Sequence, residues 1–177
     1  MKFISFNHDN SEKFGIIENN LITDLTGKID GALSLKELIK IKKIKEAKEY
    51  AKSNPGSIKT DEIKYSPLIP DPGKIICVGL NYSEHVKETN RTVEENPVIF
   101  HRFPESQTAH MQAIQRPTVS ESLDFEGEMA VIMGEGGKHI KPEDALKHIV
   151  GFSCYNESTI REWQRHTRQF GMGKNFE

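Results

Sequence analysis

The stretch SLDFEGEMAVIMG, Ser122 to Gly134, decides how this chain is read. Taken as one strand, residues i, i+2 and i+4 share a face, with neighbours on it ~6.6–7 Å apart. Asp124, Glu126 and Glu128 then point one way with Ala130 and Ile132, while Phe125, Gly127, Met129, Val131 and Met133 point the other. A solvated edge strand is one account of three acids on a face. Against it, the acidic face turns apolar within the same strand, and no basic residue stands at neighbouring same-face positions. Two carboxylates ~5 Å apart repel by roughly 3 kcal/mol at an effective dielectric of ~20. Acids carried toward an interior therefore raise their pKa, find cations or bind a metal. Carboxylate oxygens suit Mg²⁺, Mn²⁺ or Ca²⁺, so a divalent-metal site stands beside the wet edge as the second account.

A further acid falls where such a site needs one. In CYNESTIRE (154–162) a strand ends at Asn156 and a helix is expected to begin near Glu157, with open amides at its start. The plainer alternative is an acid that complements a helix dipole. In NYSEHVKE (81–88), His85 and Glu88 are three apart, so on a helical turn they are neighbours. A carboxylate that fixes the tautomer of a histidine makes a general base, and a simple surface pair has the same spacing. The other histidines show no zinc spacing, and no Walker loop, dinucleotide fingerprint or GxSxG is present.

Working outward, residues 74–79, 96–103 and 150–156 read as further strands, and 142–149 and 157–170 as helices. YSPLIPDPGK (65–74) holds three prolines and reads as a linker. Before it, residues 2–6, 14–18 and 21–25 read as short strands. A helix then runs from the Ser34–Glu37 capping pair through Leu35, Leu38, Ile41, Ile44 and Ala47. The expected organisation is a small N-terminal module, 1–65, and a main domain, 66–177. The mixture of strands and helices without strict alternation predicts an α+β fold, mainly β.

The bulk composition excludes several classes. A net charge of -2 gives no push toward nucleic acid or a membrane surface, and the lysines of the 34–52 helix interleave with Glu37, Glu46 and Glu49. No apolar run approaches ~18 residues, and the start MKFISFNHDN has no apolar signal core, so the expected compartment is the cytoplasm. Cys77 and Cys154 fall in expected buried strands without CxxC spacing and read as reduced core thiols.

Together, KIICVGLNYSEHVKE, PVIFHRFPES, LDFEGEMAVIMG, ALKHIVGFSCYNESTIREWQ and GMGKNF resemble, in order and spacing, the motifs of the fumarylacetoacetate hydrolase family. The resemblance covers about Lys74 to Phe176, and 1–65 looks like the small N-terminal domain many members carry. It implies a mixed β-roll, incomplete here because relatives continue past this point, and a homodimer. It implies Mg²⁺ or Mn²⁺, with Ca²⁺ in some members, held by Glu126, Glu128 and Glu157, with Asp124 in an outer position. His85 and Glu88 fall on the water-activating pair, Lys174 on the active-site lysine, and Arg102, Arg161 and Gln164 on substrate-facing positions. Small 2-oxo and 1,3-dioxo acids are the implied substrates, through C–C hydrolysis, decarboxylation or isomerisation. Two departures stand out: Glu157 where relatives carry Asp, an arm one methylene longer, and Arg102 where many carry Lys. The alternative is a catalytically silent remnant or an interaction module.

Overall fold

The structure, a computed structural model, describes residues 1–82 and 96–176. The expected His85 and Glu88 lie outside the described residues. The fold is α+β, mainly strands, and the chain divides into two compact units. One comprises residues 1–71, 108–113 and 127–155; the other comprises 72–107, 114–126 and 156–177.

The first unit is built on β1 (Lys2–His8), β2 (Ser11–Glu18) and β3 (Leu21–Asp24). Two-residue turns join them, with Asp9 and Asn10, then Asn19 and Asn20, all at positive φ. Asn and Asp tolerate that conformation, and paired positive-φ residues match the twist of a hairpin. With β4 (Ile58–Lys59) and β5 (Lys64–Tyr65) the strands form an antiparallel sheet of order β4-β3-β2-β1-β5. The alternation of Phe14 and Ile16 in β2 turns both onto one face, where they join Leu25, Ile29, Leu35, Leu38, Ala47 and Ala51 in the core.

The single helix expected over 34–52 is two: α1 (Leu35–Lys40) and α2 (Ile44–Ser53). The reason is in the spacing. Apolar residues at 35, 38, 41 and 44 repeat every three residues, so on a 3.6-residue helix the stripe drifts off the core face. A break with Lys42 at φ 59° resets the phase. Leu35, Leu38 and Ile39 are then buried from α1 and Ala47 and Ala51 from α2, while Ile41 is left exposed.

The opening stretch is also not one strand. It forms β8 (Leu123–Asp124) and β9 (Gly127–Met133), with Phe125 and Glu126 between them in neither. The break coincides with a change of partner: β9 pairs with β10 (Ile149–Asn156) and β8 with β11 (Thr159–Ile160). Asp124, Glu126 and Glu128 therefore do not share one continuous pleat. Nor is the far end buried on both sides. Met129, Val131 and Met133 of β9 are exposed, as are Val150, Phe152 and Cys154 of β10. Cys154 thus departs from the expected core thiol, because it falls on the outward parity of its strand.

The second unit holds β6 (Ile75–Gly79) and β7 (Val98–Arg102), paired antiparallel with Ile75 opposite Arg102 and Gly79 opposite Val98. The helix expected over 157–170 is reduced to one turn, α3 (Arg161–Gln164). Thr159 and Ile160, two β-branched residues whose χ1 is stiff, extend along β8 instead. Likewise 142–148 forms a 3₁₀ stretch rather than an α-helix. No helix among the described residues is long and apolar enough to cross a membrane.

Candidate active site

The second unit buries an ionic cluster. Arg102, Glu157, Thr159 and Lys174 are each less than a tenth exposed. Four elements deliver the side chains. Arg102 ends β7, and Asp124 ends β8 with Glu126 just beyond it. Glu157 and Thr159 come from the β10–β11 junction, and Lys174 follows a 3₁₀ turn, Phe170–Gly173.

Backbone bonds fix where the acids stand. The Glu157 amide donates to the Glu126 carbonyl at 2.8 Å, and the Glu126 amide donates to Oδ1 of Asn156 at 3.0 Å. The expected open amide at Glu157 is therefore already used within the protein, and α3 starts four residues later. Across β8 and β11, Thr159 stands opposite Asp124.

One ammonium joins the two glutamates. Lys174 Nζ lies 3.1 and 3.2 Å from the Glu126 carboxylate oxygens and 2.8 Å from Oε2 of Glu157. It also sits 5.0 Å from the centre of the Phe100 ring, a cation–π contact. Arg102 donates from Nη1 to Oε1 of Glu157 at 3.2 Å and to the Ser158 carbonyl at 3.1 Å. Arg161 spans the other side, with Nε 2.8 Å from Oδ2 of Asp124 and Nη1 2.7 Å from Oε1 of Glu126. The same Nη1 donates to Oε1 of Gln164 at 3.2 Å, so Gln164 orients Arg161. Three acids and three cations thus balance at zero net charge.

The environments pull the two glutamates apart. Burial pushes the Glu126 carboxyl up, but the Lys174 charge, the Thr159 hydroxyl and the Arg161 charge outweigh it, and the pKa falls below the ordinary glutamate value. Burial also pushes Glu157 up. Lys174 offsets this only in part and the neighbouring Glu126 charge adds to it, so its pKa rises.

Lys174 reaches this position because Gly173 lets the chain pass close by. A Cβ on Gly173 would lie 2.4 Å from the Ile160 carbonyl oxygen and 2.5 Å from the Gln164 nitrogen. Only glycine fits against that backbone. Asn175 then ties the segment to β7, accepting from the Phe103 amide at 2.7 Å and donating to the His101 carbonyl at 3.2 Å.

Of the residues singled out from sequence, Arg102, Glu126, Glu157, Arg161, Gln164 and Lys174 come together in this unit. Glu128 lies in β9, which belongs to the other unit. Among the described residues no group of three His, Cys, Asp or Glu has metal-binding spacing. Thr159 and Gly173 carry the site and were not singled out. The signals were there: a β-branched pair at 159–160, unsuited to opening a helix, and a glycine directly before the lysine.

The matching family model, fumarylacetoacetate (FAA) hydrolase C-terminal, spans residues 74–177. The chain belongs to the fumarylacetoacetate hydrolase family. A mitochondrial oxaloacetate tautomerase of Rattus norvegicus is 38% identical over 121 residues, covering 68% of this chain and 39% of that protein. Its Xenopus laevis counterpart is 35% identical over 136 residues, covering 76% and 43%. The chain therefore spans about two-fifths of the length of the curated relatives it matches. Among solved structures, the fumarylacetoacetate hydrolase of Exiguobacterium antarcticum superposes with a TM-score of 0.77 at 29% identity, covering all of this chain and 62% of that one. A maleylpyruvate hydrolase from Sphingobium sp. SYK-6, solved with manganese and pyruvate, shares the fold at 19% identity, with a TM-score of 0.76, covering 98% and 63%.

Proposed function

We propose that this fumarylacetoacetate hydrolase family chain carries cation-binding residues of an enzyme acting on small 2-oxo or 1,3-dioxo acids. The observation that carries the proposal is the convergence of Glu126 and Glu157 on one positive charge, with all contacts within 3.2 Å. Two carboxylates that already turn oxygens to a single ammonium fit a hard divalent ion, Mg²⁺, Mn²⁺ or Ca²⁺. Glu126 and Glu157 would hold it. When bound, such an ion acts as a Lewis acid toward a 2-oxo carboxylate and its enolate.

The chain's own residues supply the rest. Lys174 and Arg102 bring positive charge to the carboxylates and to an anionic substrate, in a buried setting where charges are weakly screened. Arg161, braced by Gln164 and Asp124, holds Glu126. His85, which shares its sequence motif with Glu88, is assigned the proton shuttle between carbon and oxygen. The tautomerase relatives favour keto–enol interconversion over hydrolysis, because it requires only that proton movement.

The test is turnover of enol-oxaloacetate and of an acylpyruvate, followed by loss of enol absorbance with Mn²⁺ and then with a chelator. Mn²⁺-dependent turnover that disappears in His85→Ala, with metal binding retained, is expected. A folded, Mn²⁺-binding protein that turns over neither compound would contradict the reading.

A second reading has its own observation. Ile76, Val78 and Ile99 are exposed on β6–β7, and Met129, Val131, Phe152 and Val150 on β9–β10. Apolar faces of this kind mark surfaces that associate, which favours a homodimer or an interaction module. A monomeric mass in solution at micromolar concentration would reject it.

A further inference from the structure

Thr159 is fully buried, and its hydroxyl lies 2.8 Å from Oε1 of Glu126 and 3.0 Å from the Glu157 carbonyl oxygen. A threonine hydroxyl has one proton to donate. The shorter contact goes to the charged acceptor, and hydrogen bonds to ionised groups are the stronger ones. The hydroxyl is also held in place. Thr159 is paired through its backbone with Asp124, and a β-branched side chain has little χ1 freedom in that setting.

The oxygens of Glu126 are loaded unequally. Oε1 takes contacts from Thr159 at 2.8 Å, Arg161 at 2.7 Å and Lys174 at 3.1 Å. Oε2 takes Lys174 at 3.2 Å. A carboxylate oxygen has two lone-pair directions, so three donors saturate Oε1 and leave Oε2 with accepting capacity.

We propose that Thr159 is a positioning residue: its hydroxyl locks Oε1 of Glu126 against the protein, so that Oε2 is the oxygen presented to a bound cation. This rests on the reading of Glu126 as a cation arm. The hydroxyl acts through Glu126, which makes it an outer partner of a ligating carboxylate. Loss of such partners costs about 10–100-fold in metal affinity.

The experiment uses the full chain, with Mn²⁺ as the probe, in the parent, Thr159→Val and Thr159→Ser. Valine keeps the shape and removes the donor; serine keeps the donor. Mn²⁺ affinity by calorimetry should fall about tenfold or more in Thr159→Val and stay near the parent in Thr159→Ser. Where the valine variant does not fold, Thr159→Ala takes its place with the same expectation. Unchanged affinity in the donor-less variant would overturn the proposal, as would equal losses in the valine and serine variants. A crystal structure of the donor-less variant gives a second readout that needs no metal. A displaced Glu126 carboxylate supports the proposal, and an unmoved one overturns it. Should the parent bind no Mn²⁺, the metal reading of the site falls, and the crystal structure alone decides whether Thr159 positions Glu126.

Discussion

In the first unit the fully buried side chains include Phe6, Phe14, Ile16, Ile22, Leu25 and Leu38; in the second they include Lys174 and Thr159, with Arg102 and Glu157 nearly so. The first interior is made of apolar area removed from water, which is non-directional and tolerates substitutions that conserve volume. The second, beside the apolar Phe100 and Ile160, holds charges whose attraction must offset their own desolvation. A buried ion cluster is weak evidence for stability, since an apolar replacement of the whole set is often as stable. The cluster falls in the family's matched region, 74–177.

The largest expected effect comes from breaking the ionic interior at its centre. Lys174→Met leaves Glu126 and Glu157 facing one another without their shared cation, and removing one partner of a buried pair costs about 3–5 kcal/mol. Urea denaturation should show that loss; a cost below about 1 kcal/mol would mean that the ammonium is far less committed than its contacts indicate.

Next in size is the matching break in the apolar interior. Leu38→Ala in α1 should cost about 3 kcal/mol through lost burial and a residual cavity. The comparison sharpens on a second readout: Mn²⁺ affinity should stay at the parent value, and a parallel loss would mean that the two interiors do not act independently.

A smaller effect tests the start of α1, where the Ser34 hydroxyl accepts from the Glu37 amide at 3.1 Å. Ser34→Ala should lower stability by about 1 kcal/mol in the same assay, and no change would deny the cap its role.

The smallest effect concerns acid. Burial pushes the Asp24 carboxyl up, but bonds from the Thr26 amide and hydroxyl and the Lys13 charge outweigh it, so its pKa falls below the ordinary value. A depressed folded-state pKa gives stability that is present above the unfolded value of ~3.9 and lost as pH falls through the folded one. Acid unfolding of Asp24→Asn should therefore begin from a lower stability at neutral pH and fall less steeply below about pH 4. A curve parallel to the parent would contradict the contacts that Thr26 and Lys13 make with Asp24.

Local rules made the first unit legible. Alternation placed β1 to β3. What failed there was period: a three-residue apolar repeat looked like one long helix, and the core demanded two. In the second unit the motifs identified Arg102, Glu126, Glu157, Arg161, Gln164 and Lys174, but not their arrangement. The acidic stretch read as one strand because alternation says nothing about a change of partner, which is set by residues 149–160 pairing from far along the chain. Thr159 escaped because its value lies in one tertiary contact, with Glu126 thirty-three positions earlier. Gly173 escaped because the backbone it must clear, at Ile160 and Gln164, is adjacent only after folding.

The central claim is that Glu126 and Glu157 are two arms of one cation site. Calorimetric titration of Mn²⁺ into the parent, Glu126→Gln and Glu157→Gln, at neutral pH, tests it most directly. The expected result is binding by the parent and a loss in each variant on the order of 100-fold or more, beyond that of an outer partner. Parent-like affinity in either glutamine variant would contradict it.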